Sequence, residues 1–222
     1  MRSLQKQSPK PGVITALLPQ KKQNRTSIFV DDQFAIGVWT DLVHQYELHV
    51  GKTLSQDLLD LLINHETASA IRATALKYLS YSSRTEFQIR KRLHREGYST
   101  LEITPVIDEL IDLGYIDDRK YAIEYAQARF KHKGFGPNRI RRELIADGVC
   151  HEFISEAIKF SASSDDLIES AKKNLDQFQN RVHGTVQERR KKLIGCLIRR
   201  GYDSSLAQEL VQEVLRQSDS DQ

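Results

Sequence analysis

A chain of 222 residues with 39% apolar and 28% charged residues suits several small cores better than one large globule, because small domains bury a smaller fraction of their surface. Its net charge of only +3 confines any electrostatic function to local clusters. No apolar run approaches the ~20 residues of a membrane span, the start "MRSLQKQSPKPG" has no apolar leader, and Cys150 and Cys196 stand in no metal-like spacing. These features point to the reducing cytoplasm and away from the membrane.

Residues 1–12, polar and carrying Pro9, Pro11 and Gly12, read as a disordered arm. Next come "VITALLPQ", "SIFVDD" and "QFAIGVW", short apolar runs with turn-type breaks between them. They predict a small antiparallel meander at about 13–38. Such a sheet is marginal alone, so "TDLVHQYEL" is expected to supply a helix beneath it, in a module spanning 13–52.

Gly51-Lys52-Thr53 resembles the end of a phosphate-binding loop. That pattern needs a glycine five residues before Gly51, where the chain has Tyr46. A turn leading into a helix is the better reading, with Thr53 and Gln56 as a capping box or Ser55 as N-cap. From Thr53 onward apolar residues recur at helical spacing, and no further strand is expected.

The helices repeat. "IRKRLHREGYSTLEITPVI" (89–107), "IRRELIADGVCHEFISEAI" (140–158) and "LIGCLIRRGYDSSLAQELV" (193–211) align on Gly97, Gly148 and Gly201, which lie 51 and then 53 residues apart. Eight residues before each glycine stand Ile89, Ile140 and Leu193; four before, Leu93, Leu144 and Leu197; ten after, Ile107, Ile158 and Val211. The first two sets fall on one buried helix face, the glycine ends that helix in the left-handed conformation, and Ser99 or Thr100 and Asp203 or Ser204 cap the next. A preceding helix, at about 70–81, 118–133 and 165–180, completes each unit. The expected fold is mostly α: three tandem three-helix repeats in an elongated array, preceded by the β-meander. The boundaries are 53–116 for a linking helix plus repeat 1, 117–162 for repeat 2 and 163–217 for repeat 3, with a polar tail at 218–222.

No catalytic constellation stands out, and neither a cofactor nor a metal is expected. Asp31-Asp32, Asp117-Asp118 and Asp165-Asp166 sit at turns or helix starts, where carboxylates cap free N–H groups. The histidines at 44, 49, 65, 94, 132, 151 and 183 form no i, i+4 pair. "GFGPNR" is too short for a dinucleotide fingerprint and follows a helix; "KGFGP" (133–137) is first a helix–helix connector, with Pro137 at the first helical position.

The basic clusters carry the functional signal: Arg90, Lys91, Arg92 and Arg95; then Arg129, Lys131, Lys133, Arg139, Arg141 and Arg142; then Arg199 and Arg200, with Arg189–Lys192 before them. With Ile140 and Leu144 facing the core, Arg139 and Arg142 are expected to point outward on one face. Similar placement in three repeats predicts a basic ridge.

"YLSYSSRTEFQIRKRLHREGYS", "VIDELIDLGYIDDRKYAIEYAQARFKHKGFGPNRIRRELIADGV" and the more divergent "RRKKLIGCLIRRGYDSS" resemble the RecX family, regulators of the bacterial recombinase RecA. The resemblance covers roughly 70–215, and the meander resembles an extension that some members carry. One departure is Ile194-Gly195, where the other repeats have Arg90-Lys91 and Arg141-Arg142. The resemblance implies a non-enzymatic, monomeric modulator lying along the groove of the RecA filament. It would limit filament growth, ATP turnover, strand exchange and co-protease activity, and so act in homologous recombination, DNA repair and the SOS response. Single- or double-stranded DNA is a further expected partner. The competing class is a sequence-independent DNA-binding protein, since three-helix units with basic helices are similar to helix-turn-helix modules; the basic residues suit phosphate more than base contacts.

Overall fold

Short paired strands over 12–39, with burial alternating strictly at 25–30, and helices afterwards give a mostly helical chain with a small N-terminal antiparallel sheet. The computed structural model describes residues 9–21, 24–179 and 181–220. The arm expected at 1–12 lies mainly outside the described residues, but its last residue, Gly12, already begins a strand. Two compact units can be distinguished: one runs through Tyr78 and includes Leu93–Asp108, the other comprises Leu79–Arg92 and the chain from Glu109 onward.

In the first unit, β1 (Gly12–Pro19), β2 (Arg25–Val30) and β3 (Gln33–Trp39) form the meander, and α1 (Thr40–Gln45) follows. The sheet has a fourth member where a helix start is expected from sequence: β4 (Thr53–Leu54) pairs antiparallel with β1, giving the order β3-β2-β1-β4. Thr53 is therefore in a strand, and Ser55 caps the helix, its hydroxyl accepting from the Leu58 N–H at 3.3 Å. Lys52 is committed as well, its ammonium donating to the Tyr46 carbonyl at 2.7 Å. Ile14, Ile28, Val30, Val38 and Leu54 from the sheet pack with Leu42, Leu48, Leu59 and Leu62. At the β3 edge Glu66 accepts from the Trp39 N–H and pairs with Arg25 at 2.7 Å, which blunts the edge against strand addition.

The linking helix and the first repeat helix are one continuous α2 (Gln56–Leu79). Nothing in "LINHETASAIRATALKYL" offers a glycine or proline to break it. Then follow α3 (Glu86–Arg95), α4 (Thr100–Asp112), α5 (Asp118–Lys133), α6 (Pro137–Ala146), α7 (His151–Ser161), α8 (Ser164–Gln179), α9 (Val186–Arg200) and α10 (Ser204–Ser220). α10 extends into the stretch expected as a polar tail.

The glycine-anchored repeat is visible in the backbone. Gly97, Gly148 and Gly201 have φ of 98°, 83° and 95°. The N–H following each returns to Leu93, Leu144 and Leu197 respectively, five residues back, the closure of a Schellman-type helix end. Those leucines are fully buried, as are Ile89, Ile107, Leu193 and Val211, while Ile140 is 1% exposed. Separate cores gather around Ala122, Ile140, Leu144 and Ile154 and around Ala171, Leu193, Leu197 and Val211.

The acid pairs act at turns and caps. Asp117 accepts from the Lys120 N–H. Ser99 with Glu102, Ser163 with Asp166 and Thr185 with Glu188 form reciprocal caps. Hydrogen bonds from Ser99, Ser163 and Thr185 hold the Glu102, Asp166 and Glu188 carboxyls below their ordinary range. A depressed folded-state pKa contributes stability that is full above the unfolded value and is lost as pH falls through the folded one. The urea midpoint is therefore expected to drop below about pH 4, and Glu188→Gln to flatten part of that drop. Asp118 runs the other way, since burial raises its pKa: its contribution is full below the ordinary aspartate value and fades as pH rises through the raised one.

Within the second unit, successive repeats meet at a recurring joint. Asp147-Gly148, which end the second helix of repeat 2, receive the first turn of α3. The Thr85 hydroxyl donates to the Asp147 carbonyl at 2.6 Å, the Gln88 amide donates to its carboxylate at 2.7 Å, and Phe87 fills the space a Gly148 side chain would need. One repeat later, Arg200-Gly201 receive the first turn of α6. The Gly136 N–H donates to Arg200 O at 2.8 Å and the Asn138 N–H to Gly201 O at 2.9 Å, and Arg139 fills the space over Gly201. A Cβ on Gly136 would lie 2.5 Å from the Gly201 carbonyl carbon. The glycines of "GFGP" are thus more than a connector: Gly136 allows two backbones to touch.

Candidate binding surface

The joints and the helix faces sort the cations proposed from sequence into two groups. Arg129 and Arg139, both half-buried, converge on one carboxylate. Glu143 lies 3.4 Å from Arg129 Nε and 3.1 Å from Arg139 Nε, and it accepts the Tyr125 hydroxyl at 2.9 Å. Arg139 also stacks over Phe135, 3.6 Å from the ring centroid, and Arg129 over Tyr125 at 4.7 Å. The expectation that Arg139 points outward is corrected: the α6 first turn docks on Gly201, so this arginine is folded into the joint. Arg200 belongs to the same joint, donating to the Lys133 carbonyl at 2.6 Å and lying over Phe178.

The remaining cations lie outside this joint. Lys131, Lys133, Arg142 and Arg199 are exposed; Arg142 donates to the Asn138 carbonyl at 3.3 Å, and Arg199 lies 3.2 Å from Cys196 Sγ. Arg141 is half-buried and donates to the Asn138 side chain. Lys91 is exposed with its ammonium over Phe87, Arg92 is exposed, and Arg90 pairs with Glu86 one turn away at 2.6 Å. Arg95, exposed, lies in the first unit.

Lys131, His132 and Lys133, at the end of α5, line an open groove of about 550 Å³ with Ser170, Lys173 and Asn174 of α8 and with Arg200. Asp166 and Glu169 line it too, but Asp166 is committed to its cap and Glu169 to Lys173. Lys173 was not singled out in the sequence, because it lies outside the repeated glycine-anchored motif.

Sequence reasoning also missed the polar pins. The Tyr121 hydroxyl donates to Asp147 at 2.9 Å, and burial, reinforced by that bond, pushes its pKa up. Asn174, 5% exposed, donates to the Gly134 and Ser170 carbonyls, and the Tyr202 hydroxyl also donates to Gly134. Tyr121 and Tyr125, one turn apart on α5, were the available signal. Their rings stack 5.7 Å apart. Among the described residues no cluster of His, Cys, Asp and Glu is arranged to hold a metal, and no helix is long and apolar enough to cross a membrane.

Helical repeats pinned to one another and carrying exposed cations on several helices are the class of structure the site defines. Comparison with known families narrows this. Residues 12–55 match the N-terminal domain of regulatory protein RecX, residues 72–110 the first RecX three-helix domain and residues 117–158 the second. The chain belongs to the RecX family of regulatory proteins.

It is 28% identical over 201 residues to a Regulatory protein RecX of Listeria monocytogenes, covering 90% of this chain and 74% of the relative. It is 29% identical over 209 residues to one of Bacillus licheniformis, covering 93% and 79%. A crystal structure of regulatory protein RecX superposes with a TM-score of 0.75 at 25% identity, over 90% of this chain and 98% of the other. That of RecX from Lactobacillus salivarius gives 0.62 at 24%, over 67% and 97%, a likeness of fold.

Proposed function

We propose that this protein is a non-enzymatic inhibitor of a RecA-type recombinase that lies along the groove of the recombinase filament. There it limits filament growth, ATP turnover, strand exchange and co-protease activity, in recombination, repair and the SOS response of the cytoplasm. The observation that carries this reading is a set of exposed cations, Lys131, Lys133, Arg142 and Arg199, on helices of a RecX-family chain. A groove floored by DNA phosphates and walled by protein favours such a surface. The units at 53–116, 117–162 and 163–217 would act in tandem, each meeting a further part of the filament and gaining avidity without strong single contacts.

The test separates binding from folding. Replacing Lys131, Lys133, Arg142 and Arg199 together by alanine is expected to leave helicity and melting temperature almost unchanged, since solvated surface positions rarely shift stability by more than about 0.5 kcal/mol each. Inhibition of filament ATPase should weaken at least about tenfold, a loss of only 1.4 kcal/mol of binding. Full inhibition by the quadruple variant would remove these residues from the binding surface.

A further inference from the structure

The binding reading above rests on the helical repeats and leaves the N-terminal sheet unused. The two faces of that sheet differ. Along β2 burial alternates: Thr26, Ile28 and Val30 are buried, and Arg25, Ser27 and Phe29 are only half-buried. Ile28 and Val30 pack with Leu42, Leu59 and Leu62, so Arg25, Ser27 and Phe29 lie on the opposite, outer face. Strand register sets Trp39 beside Arg25, Phe34 beside Phe29, and Leu18 of β1 beside Ser27.

The outer face is therefore aromatic and open. Phe34 is 57% exposed, Leu18 52% and Trp39 40%. The Phe29 and Phe34 rings meet edge to face with centroids 5.9 Å apart, and Arg25, paired with Glu66, lies 5.2 Å from the Trp39 ring centroid. Beside Phe34 a slot of about 280 Å³ is lined by Pro9, Lys10, Asp31 and Gln33. Exposed lysines stand at both ends of the face. Lys10 lines the Phe34 slot. Lys21 directly follows Gln20, whose N–H donates to the Arg25 carbonyl at 2.8 Å, and so marks the Trp39 end.

We propose that this outer face binds single-stranded nucleic acid, with unpaired bases stacked on Phe34 and Trp39 and backbone phosphates met by Lys10 and Lys21. Cations at the ends with aromatic rings between them match the alternation of phosphates and bases along a single strand, and stacking is tolerant of sequence because every base has a π-face. Five residues of β3 separate the two rings, about 17 Å of extended strand, a distance spanned by a few nucleotides. In the slot the Gln33 amide is placed to hydrogen-bond a base edge. Asp31, whose carboxylate accepts the Val13 N–H at 3.3 Å, repels phosphate there, so the bases and not the backbone carry the contact. The inference is independent of the recombinase reading, because it concerns the sheet alone.

Trp39 is the one tryptophan of the chain, so its fluorescence reports from the site itself. In the full chain, without recombinase, short oligothymidylate and oligouridylate strands are expected to quench it; the tighter of the two identifies DNA or RNA as the preferred source. A blunt duplex, whose bases are already stacked, should leave it unchanged. Phe34→Ala is expected to weaken the single-strand affinity at least about tenfold with little change in melting temperature, and Phe34→Tyr, which keeps a ring, to retain it. Joint replacement of Lys131, Lys133, Arg142 and Arg199 by alanine should leave the quench in place. Absence of quenching by both single strands overturns the proposal, as does equal quenching by duplex or full affinity in Phe34→Ala. Loss of the quench in the quadruple variant also overturns it, by placing the strand on the helical repeats. None of these failures touches filament inhibition, which is read separately.

Discussion

Gly201→Ala is expected to destabilise the chain by about 3 kcal/mol in urea unfolding, the sum of two terms. One is the left-handed backbone, φ 95°, which costs an alanine about 1 kcal/mol. The other is overlap with the backbone nitrogen of Arg139 in the α6 first turn. That turn cannot move away without releasing its bonds to Arg200 and Gly201, and overpacking of this kind costs about 2 kcal/mol. Gly97→Ala provides the internal control: it has the same backbone sign and, among the described residues, no neighbour within 4 Å of the added carbon, so only the first term remains, about 1 kcal/mol. Equal losses at the two glycines would mean that the joint contributes nothing beyond helix termination.

Glu143→Ala is the second large effect, about 2 kcal/mol. The substitution leaves the Arg129 and Arg139 guanidinium groups and the Tyr125 hydroxyl without their shared acceptor, and hydrogen bonds to charged groups are worth about 1.5–3 kcal/mol when lost. Because side chains of all three ionic partners remain 27–37% exposed, water recovers part of that loss. Adding Arg139→Ala to Glu143→Ala should then cost less than the two single losses combined, since the residues act as a unit. Full additivity in this double-mutant cycle would show that the ion pair is decorative.

Sequence alone carried the repeat because its marks are local. A glycine, a leucine four residues before it and a branched apolar residue eight before it belong to one helix, and the 3.6-residue geometry assigns them one face. The features that were not legible depend on distant partners. Arg139 looks like a surface residue by spacing, and its position is decided by Gly201, 62 residues away in the chain. Leu54 lies in a strand of two residues, too short to alternate visibly, and it is strand only because β1 lies beside it. The join between linker and repeat within the continuous α2 has no local mark: Leu59 and Leu62 help close the N-terminal sheet, while Ile71 and Ala75 are buried further along the same unbroken helix.

For the candidate surface the same physics separates the arginines of the joint from the other cations. Arginine's planar fork suits it to pairing and to stacking on rings, and the half-buried Arg129, Arg139 and Arg200 are used that way. Lys131, Lys133, Arg142 and Arg199 stay in solvent. A count of positive residues therefore overstates the ridge, and the exposed subset is what can meet a partner.

The central claim is that these exposed cations grip a recombinase filament and not simply DNA. The most direct test is equilibrium binding of the chain to naked single-stranded DNA and to RecA filaments on that DNA across a salt titration, with filament ATPase followed in parallel. Tighter binding to filaments, a shallower salt slope and falling ATPase are the expected results. Equal binding to naked DNA, with the steep slope of counterion release and unchanged ATPase, would contradict the account and leave a sequence-independent DNA-binding protein.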